Sequence, residues 1–276
     1  MSSVYICGCV LNCEKYLDAV FLNISKIIPL FDDYQILVAF DKSEDMTLRK
    51  LCDLKRSYNM EILINPNPRT PVRTQNIANA RNQLLRYMRR PESPKHDYFI
   101  MIDMDDVSAG PMDVEVLKKY LAPEWRDKWD ALSFNRDDYY DIWALSIPPY
   151  MFSCWHVPDG YAAVAKIKPF IQGILESCDP NDLVECSSAF NGFGIYRTGA
   201  FDGIWYEWSI LKVCVIMTKE QIDRYYAAIG QQFARLRGDQ DCEHRWFHMK
   251  AIADNGAKIR ISPLKLFTEC QKQSEQ

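Results

Sequence analysis

The first hundred residues alternate between short apolar runs and longer amphipathic stretches. Strands are predicted at residues 4–10, 34–40, 60–64 and 98–102, and helices at 14–28, 44–58 and 74–90. Strands that are apolar along their whole length and separated by helices indicate βαβ units, in which helices cover both faces of a parallel sheet. The chain is therefore predicted to have an α/β fold with a mostly parallel central sheet flanked by helices.

The second half of the chain is less regular and richer in aromatic residues. Strands are predicted at residues 129–134, 140–145, 188–196 and 258–261, helices at 211–234 and 241–253, and a long loop at 147–157. Long loops commonly carry binding residues. Because no internal repeat, low-complexity tract or Ser/Gly/Pro linker divides the chain, we expect a single domain with an embedded subregion.

Composition excludes several classes of protein. The 276 residues are 48% hydrophobic and 25% charged, which is typical of a globular chain. The net charge of −4 provides no overall basic surface for nucleic acid or an anionic membrane. No stretch approaches the roughly 20 apolar residues of a transmembrane helix, and the first residues lack the pattern of a secretory signal. We expect a cytoplasmic protein that binds no nucleic acid.

The ten cysteines do not form a metal-binding or disulfide pattern. Cys7, Cys9 and Cys13 lie close together, but their spacing is not that of a zinc ribbon, and no second pair follows at a suitable distance. The other cysteines, including Cys270, are scattered through apolar or helical segments. We therefore expect free, reduced and mostly buried thiols.

Three carboxylates follow the fourth predicted strand. Asp103 and Asp105 are separated by one residue, so on an extended backbone their side chains point the same way. Such carboxylates repel each other unless a cation or a shared proton relieves them. Mg²⁺ and Mn²⁺ prefer oxygen ligands and often bind one or two carboxylates together with substrate phosphates. This pattern favours a metal–diphosphate site, although Asp-rich solvated turns are also common after strands.

Basic residues precede this acidic segment. Arg81 lies on the predicted helix 74–90, where a guanidinium can hold a carboxylate or a diphosphate through two parallel hydrogen bonds. A solvated Arg81 is an equally acceptable reading of this segment. Arg69 and Arg73 precede the helix in a proline-rich loop, where they can contact either phosphates or solvent.

Two later segments also contain candidate site residues. Gly192 and Gly194 flank an aromatic residue in a predicted strand, where glycine often marks a bulge or a close approach of a ligand. Asp241 is expected to begin a helix, either as a capping residue or as a catalytic carboxylate. His244 and His248 are four residues apart and so share a helical face, which suits a metal pair, but a buried structural role is also open to each histidine.

In this order, the segments resemble a GT-A-type (Rossmann-like) nucleotide-sugar glycosyltransferase. The resemblance rests on the opening strand, Asp41 after the second strand, the segment 78–82, the acidic Asp103-Met104-Asp105 (DxD) motif and the later Gly-rich and acidic segments. The chain is also similar to GT-A enzymes of large DNA viruses and some microbes. The resemblance spans nearly the whole chain and implies a nucleotide-sugar-binding half at residues 1–110 and an acceptor-side, catalytic half at 111–276.

The resemblance also implies roles for individual residues. Asp105 would bind the metal, Asp103 the metal or the ribose, and Asp241, followed by Glu243, would be the catalytic base of an inverting enzyme. His244 or His248 would complete the metal site. The residues implied in donor binding are Cys9, Asp41, Arg73, Asn79, Arg81, Asp103, Asn191 and Gly192.

The expected activity is transfer of a sugar from a nucleotide-sugar donor, with UDP favoured over GDP, to a hydroxyl of a glycan or glycoprotein. The expected cofactor is Mn²⁺ or Mg²⁺. A nucleotidyltransferase or sugar-nucleotide pyrophosphorylase is the alternative enzyme, although residues 5–12 lack its Gly-rich, basic loop. A non-catalytic carbohydrate-binding protein is the third possibility, because Trp143, Trp155, Trp205 and Trp208 suit stacking on sugars.

Overall fold

The computed structural model describes residues 2–66, 68–234 and 237–268. These residues form one eight-stranded sheet in the order β3-β2-β1-β4-β7-β5-β8-β6. The strands are β1 (Ser3–Val10), β2 (Asp33–Phe40), β3 (Met60–Ile64), β4 (Tyr98–Ile102), β5 (Ala131–Asn135), β6 (Val184–Glu185), β7 (Phe193–Arg197) and β8 (Ile259–Lys265). The helices are α1 (Leu17–Ile27), α2 (Thr47–Leu54), α3 (Arg73–Met88), α4 (Val114–Leu121), α5 (Gly160–Ser177), α6 (Ile210–Ile216), α7 (Lys219–Ile229) and α8 (Glu243–Asn255).

The four strands predicted in the first half form a parallel sheet, as expected. β1 pairs in parallel with both β2 and β4, and β2 pairs in parallel with β3. β7 is antiparallel to both β4 and β5, so it joins this half of the sheet to the second half. The carboxyl ends of β1, β2 and β4 therefore lie at one edge of the sheet, where α/β proteins commonly bind ligands.

Residues alternate along β1 between the two faces of the sheet. Tyr5 and Cys7 are buried in a cluster with residues of α3, such as Leu84, whereas Val4 and Ile6 are buried in a second cluster with residues of α1. Both faces of the strand are covered, which explains why its sequence is apolar throughout. This packing places the beginning of α3 beside the carboxyl ends of the parallel strands.

The second half differs from the sequence predictions in several elements. Residues 140–145 form turns instead of the predicted strand, and α4, α5 and the two-residue β6 were not expected. α5 contains Pro169, which argues against a helix locally, yet Ile167 and Ile171 are buried. The predicted helix 211–234 is two helices, because Thr218 and Gln221 form a capping box that begins α7. The predicted loop at 147–157 is confirmed.

The cysteine prediction is confirmed within the described residues. All nine cysteines there are free, and five of them are buried: Cys7, Cys13, Cys154, Cys186 and Cys242. Cys270 lies outside the described residues. None of the described helices combines the length and apolar character that a membrane span requires.

Candidate active site

A cavity of about 370 Å³ lies at the carboxyl ends of the parallel strands. The polar and aromatic side chains that surround it come from both halves of the chain. Its lining includes Cys9, Asp41, Arg69, Arg73, Asn76, Arg81, Asp103, Asp105, Tyr140, Asp141, Trp143, Phe190, Glu243 and His244. Most of the site residues predicted from the sequence are therefore brought together here.

Asp103 is held by two neighbours. Its Oδ1 lies 3.4 Å from Nη2 of Arg81, and its Oδ2 accepts a hydrogen bond of 3.0 Å from the Tyr140 hydroxyl. Its backbone N–H donates to the carbonyl of Gly192 at 2.9 Å. Burial raises the pKa of the Asp103 carboxyl, and Arg81 and Tyr140 offset part of this effect. Both oxygens are thus engaged within the protein.

Asp105 is less constrained than Asp103. Its Oδ1 accepts a hydrogen bond of 3.2 Å from the backbone N–H of Val107. Burial and the nearby Asp103 charge raise the pKa of Asp105 to about 6. A cation bound beside Asp103 and Asp105 would stabilise their ionised forms. The two carboxylates therefore fit a hard divalent ion that takes its other ligands from a diphosphate and water. Within the described part of the chain, no group of three or more His, Cys, Asp or Glu residues is arranged to hold a metal.

Arg81 is the buried cation at the centre of the site. It forms an ion pair with Glu243 and contacts Nε2 of His244. Its guanidinium also lies over the ring of Phe190, 4.8 Å from the centroid. Burial alone would lower the pKa of Arg81, but the surrounding charges, of which Glu243 is the largest and Asp103 another, together outweigh this effect and raise it. Arg81 is therefore cationic and partly balances the carboxylates of the cavity.

The two histidines of α8 have different surroundings. His244 lines the cavity and stacks on Phe190 with 3.9 Å between ring centroids. Burial, followed by the charge of Arg81, lowers its pKa well below the usual range, so the ring is neutral. His248 does not line the cavity and instead lies between the hydroxyls of Ser188 and Tyr196, at 3.0 and 3.1 Å. His248 is thus a buried structural histidine.

Asp241 does not reach the cavity, contrary to the role expected from the sequence. It is fully buried and forms an ion pair of 2.9 Å with Arg245. Arg245 also donates to the carbonyls of Leu145 and Trp143, so the pair fixes the turns that follow β5. α8 begins at Glu243, with Cys242 and not Asp241 in the capping position. Asp241 is therefore enclosed beside Arg245 and does not line the cavity.

Asn79 also lies away from the cavity. It is exposed on α3, whereas Asn76, one turn earlier on the same helix, is buried and lines the cavity. Asn76 accepts a hydrogen bond of 2.9 Å from the backbone N–H of Thr70 and donates one of 2.8 Å to the Thr70 carbonyl. It therefore orders the loop that carries Arg69 and leads into Arg73 at the start of α3.

Asn191 and Gly192 do not line the cavity, but they form hydrogen bonds with residues that do. Asn191 Oδ1 accepts hydrogen bonds from the backbone N–H groups of Tyr140 and Asp141, at 3.2 and 3.3 Å. Gly192 has a φ of 84°, and a Cβ at this position would lie 2.4 Å from Val107 and 3.0 Å from both Arg136 and the Tyr140 hydroxyl. The turn needs glycine both for its backbone conformation and for space.

Asp41 and Cys9, which were predicted to bind the nucleotide sugar, both line the cavity. Asp41 Oδ1 accepts a hydrogen bond of 2.7 Å from Asn65, and its Oδ2 lies 3.9 Å from Arg69. Cys9 follows the buried part of β1, and burial raises the pKa of its thiol to about 12. The thiol is therefore protonated and presents a weakly polar surface to the cavity.

Sequence reasoning missed Asp141. This carboxylate lines the cavity, and burial raises its pKa to about 6, to which the charge of Glu243 contributes. Its Oδ1 accepts a hydrogen bond of 3.2 Å from the backbone N–H of Ala144. Because residues 140–145 were predicted to form a strand, Asp141 was not identified as a candidate site residue. The acidic residues that precede it, Asp137 and Asp138, are a sequence signal for a turn at this position.

Comparisons identify the fold. No protein-family model and no curated protein sequence matches the chain. Among solved structures, S. aureus TarS 1-349 in complex with UDP-GlcNAc is 17% identical, with a TM-score of 0.52, and the match covers 100% of this chain and 60% of that chain. S. aureus TarS 1-349 alone is 14% identical, with a TM-score of 0.52 and coverage of 97% and 60%.

A longer S. aureus TarS chain is 15% identical, with a TM-score of 0.52, and the match covers 97% of this chain and 36% of that chain. The present sequence thus spans about 60% of the shorter TarS chain and about a third of the longer one. At this level of identity the similarity concerns the fold. The described residues have the mixed α/β GT-A fold expected from the sequence.

Proposed function

We propose that the chain is a metal-dependent glycosyltransferase that moves a sugar from a nucleotide-sugar donor, a UDP-sugar, to a hydroxyl of a glycan. The observation that supports it most is the convergence of Arg81, Asp103, Asp105, Asp141 and Glu243 on one cavity at the carboxyl ends of parallel strands. The TarS structure that binds UDP-GlcNAc shares this fold. The cytoplasmic location and the similarity to viral enzymes remain predictions.

Asp105 is the proposed metal ligand, with Asp103 beside it. The cation, Mn²⁺ or Mg²⁺, would neutralise the negative charge that develops on the leaving diphosphate. Arg81 and Tyr140 fix the orientation of Asp103. Arg73, on the first turn of α3, and Arg69 both line the cavity. They are the proposed contacts of the phosphates. Cys9 and Asp41 line the part of the cavity assigned to the nucleoside.

Asp141 is the proposed catalytic base in an inverting transfer. It accepts the proton of the acceptor hydroxyl while the new C–O bond forms at the anomeric carbon. The bond from that carbon to the phosphate oxygen breaks, and its electron pair stays on the diphosphate. A pKa of about 6 keeps Asp141 ionised near neutral pH and still basic enough to act. Glu243 is the second candidate, but its carboxylate is engaged in a buried ion pair with Arg81.

Calorimetry tests the donor and the metal site. We expect UDP to bind more tightly than GDP, and to bind more tightly with Mn²⁺ than without it. Asp105→Asn should weaken Mn²⁺-dependent UDP binding by roughly tenfold or more. Asp106→Asn, a change at the exposed neighbouring carboxylate, is the matched control and should have little effect. Equal UDP affinity in the presence and absence of metal would contradict the metal assignment.

A screen of UDP-sugars for hydrolysis by the full chain tests catalysis and identifies the donor. The expected result is metal-dependent release of UDP from one sugar donor. A nucleotidyltransferase would instead consume a sugar phosphate and a nucleoside triphosphate. If UDP binds but no donor is hydrolysed or transferred, the chain is a binding protein and the proposal of an enzyme is wrong.

A further inference from the structure

Aromatic side chains form a continuous path from the cavity to the surface of α5. Trp143 lines the cavity and donates a hydrogen bond of 3.1 Å from Nε1 to Ser153. The Arg237 guanidinium lies 5.2 Å from the centroid of the Trp143 ring and 4.4 Å from that of the Trp155 ring. Tyr161 meets Trp155 edge-on, with 5.2 Å between centroids. We call Trp143, Arg237, Trp155 and Tyr161 the aromatic strip.

The outer end of the strip is open to solvent. Tyr161 is 78% exposed, and Arg237 is also exposed. Trp143 and Trp155 are partly buried and pack against the core, so both contribute to folding. Tyr161 extends the path beyond them at the first turn of α5. A large ring this exposed contributes little to the stability of the fold, and Tyr161 is distinguished by its continuity with the aromatic side chains that reach the cavity.

The strip matches the chemistry of a sugar chain. The faces of sugar rings carry C–H groups that pack on the electron-rich face of an aromatic ring. Their hydroxyls accept hydrogen bonds from a guanidinium, which has five N–H donors. Trp143 shares the cavity with Asp141 and Glu243, so the inner end of the strip lies where the acceptor hydroxyl must react. Tyr161 lies three contacts further out along the strip, on its solvent-exposed side.

We infer that the aromatic strip is an acceptor subsite for an oligosaccharide or polysaccharide chain, with the reacting sugar at Trp143 and the following sugars at Arg237, Trp155 and Tyr161. This inference rests on the proposed glycosyltransferase function and narrows its acceptor to a chain of sugars. It excludes a monosaccharide or a small alcohol as the preferred acceptor. It also assigns recognition to the glycan and not to a peptide that carries it.

The test begins with an array of glycans from monosaccharides to hexasaccharides, probed with the full chain in the presence of UDP and Mn²⁺. The best oligosaccharide and its shortened forms are then titrated by calorimetry against the wild type and three variants. Tyr161→Ala and Arg237→Gln alter exposed members of the strip. Trp205→Ala is the control, because Trp205 is a 40% exposed tryptophan outside the strip that lies under Arg89.

We expect affinity to rise with glycan length, and Tyr161→Ala and Arg237→Gln each to weaken the longer glycans by roughly fivefold to tenfold. Trp205→Ala should leave glycan affinity unchanged. Failure to bind any glycan, affinity that does not depend on length, or strip variants that bind like the wild type would each overturn the inference. Binding only to glycopeptides, included on the same array, would do the same. UDP titrations of the wild type distinguish failure of this inference from failure of the proposed function. If metal-dependent UDP binding persists while any of these results is obtained, only the acceptor subsite is wrong.

Discussion

Arg81 and Glu243 form a buried ion pair that joins α3 to the first residue of α8, across 162 positions of sequence. Their side chains are only 7% and 5% exposed. Because the two residues come from different halves of the chain, the pair fixes the donor side of the cavity relative to the side that carries Glu243. The contact of Arg81 with Asp103 extends this link to the end of β4.

Loss of one partner of this pair should destabilise the fold strongly. Arg81→Met leaves Glu243 buried without its cation, and we expect the free energy of unfolding to fall by about 3–5 kcal/mol. The double variant Arg81→Met/Glu243→Gln should recover only part of this loss, because the charge of Glu243 is removed while Asp103 still lacks its cation. Urea unfolding measures both changes. Lys219→Met, at an exposed ion pair with Asp223, is the control and should cost less than about 1 kcal/mol.

Transfer activity should fall at acid pH through Asp141. The pKa of Asp141 is raised to about 6, and a base must be ionised, so the ionised fraction and the rate should drop about tenfold for each pH unit below about 6. Asp141→Asn should abolish transfer while UDP binding persists. Glu243→Gln should then retain more activity than Asp141→Asn. The reverse order of the two variants would assign the base to Glu243.

His248 should make the fold sensitive to acid. Burial lowers its pKa to about 3, whereas an unfolded histidine titrates near 6.5. Between these values the unfolded state binds the extra proton, so this contribution to stability is complete above about pH 6.5 and is lost as the pH falls toward about 3. The slope should approach about 1.4 kcal/mol per pH unit for this one group.

The comparison with His248→Gln isolates this effect from other groups that titrate in the same range. Glutamine does not titrate, so the difference in free energy of unfolding between wild type and variant should shrink as the pH is lowered from about 7 to about 4.5. Urea unfolding at several pH values provides the measurement. A difference that stays constant with pH would mean that His248 titrates alike in the folded and unfolded states.

The periodicity of the first half was sufficient to predict its strands, because both faces of β1, β2 and β4 are covered and their sequences are largely apolar. That register in turn placed Asp41, Asp103 and Asp105 at one edge of the sheet. The second half depends on contacts between segments distant in sequence. The helix α5 forms around Pro169 because tertiary packing overrides the local preference.

Asp141 and Asp241 show that the burial of individual site carboxylates also depends on contacts that the sequence does not reveal. Both are acidic residues beside aromatic or apolar segments, and the sequence does not state which of them is enclosed. In the structure, the guanidinium of Arg245 pairs with Asp241, which is enclosed, whereas Asp141 lines the cavity. The arginine four residues after Asp241 therefore distinguishes this structural carboxylate from Asp141, the candidate base.

The turn at Gly192 offers a test of how closely the site is packed. Gly192→Ala forces a residue with a side chain into a φ of 84° and places its Cβ against Val107 and Arg136. We expect the free energy of unfolding to fall by about 2–4 kcal/mol, from backbone strain of about 1–2 kcal/mol together with overpacking. UDP affinity in the presence of Mn²⁺ should also fall, because Gly192 accepts the backbone hydrogen bond of Asp103.

Two further glycines separate the causes of this effect. Gly203 has a φ of 74° and open space around its Cβ position, so Gly203→Ala should show the backbone strain alone. Gly199 has open space and no positive φ, so Gly199→Ala should be close to neutral. Urea unfolding of the three variants should therefore rank Gly192→Ala as the most destabilised and Gly199→Ala as the least. Equal losses at Gly192 and Gly203 would show that Val107 and Arg136 move aside at little cost, and UDP affinity would then be the same in both variants.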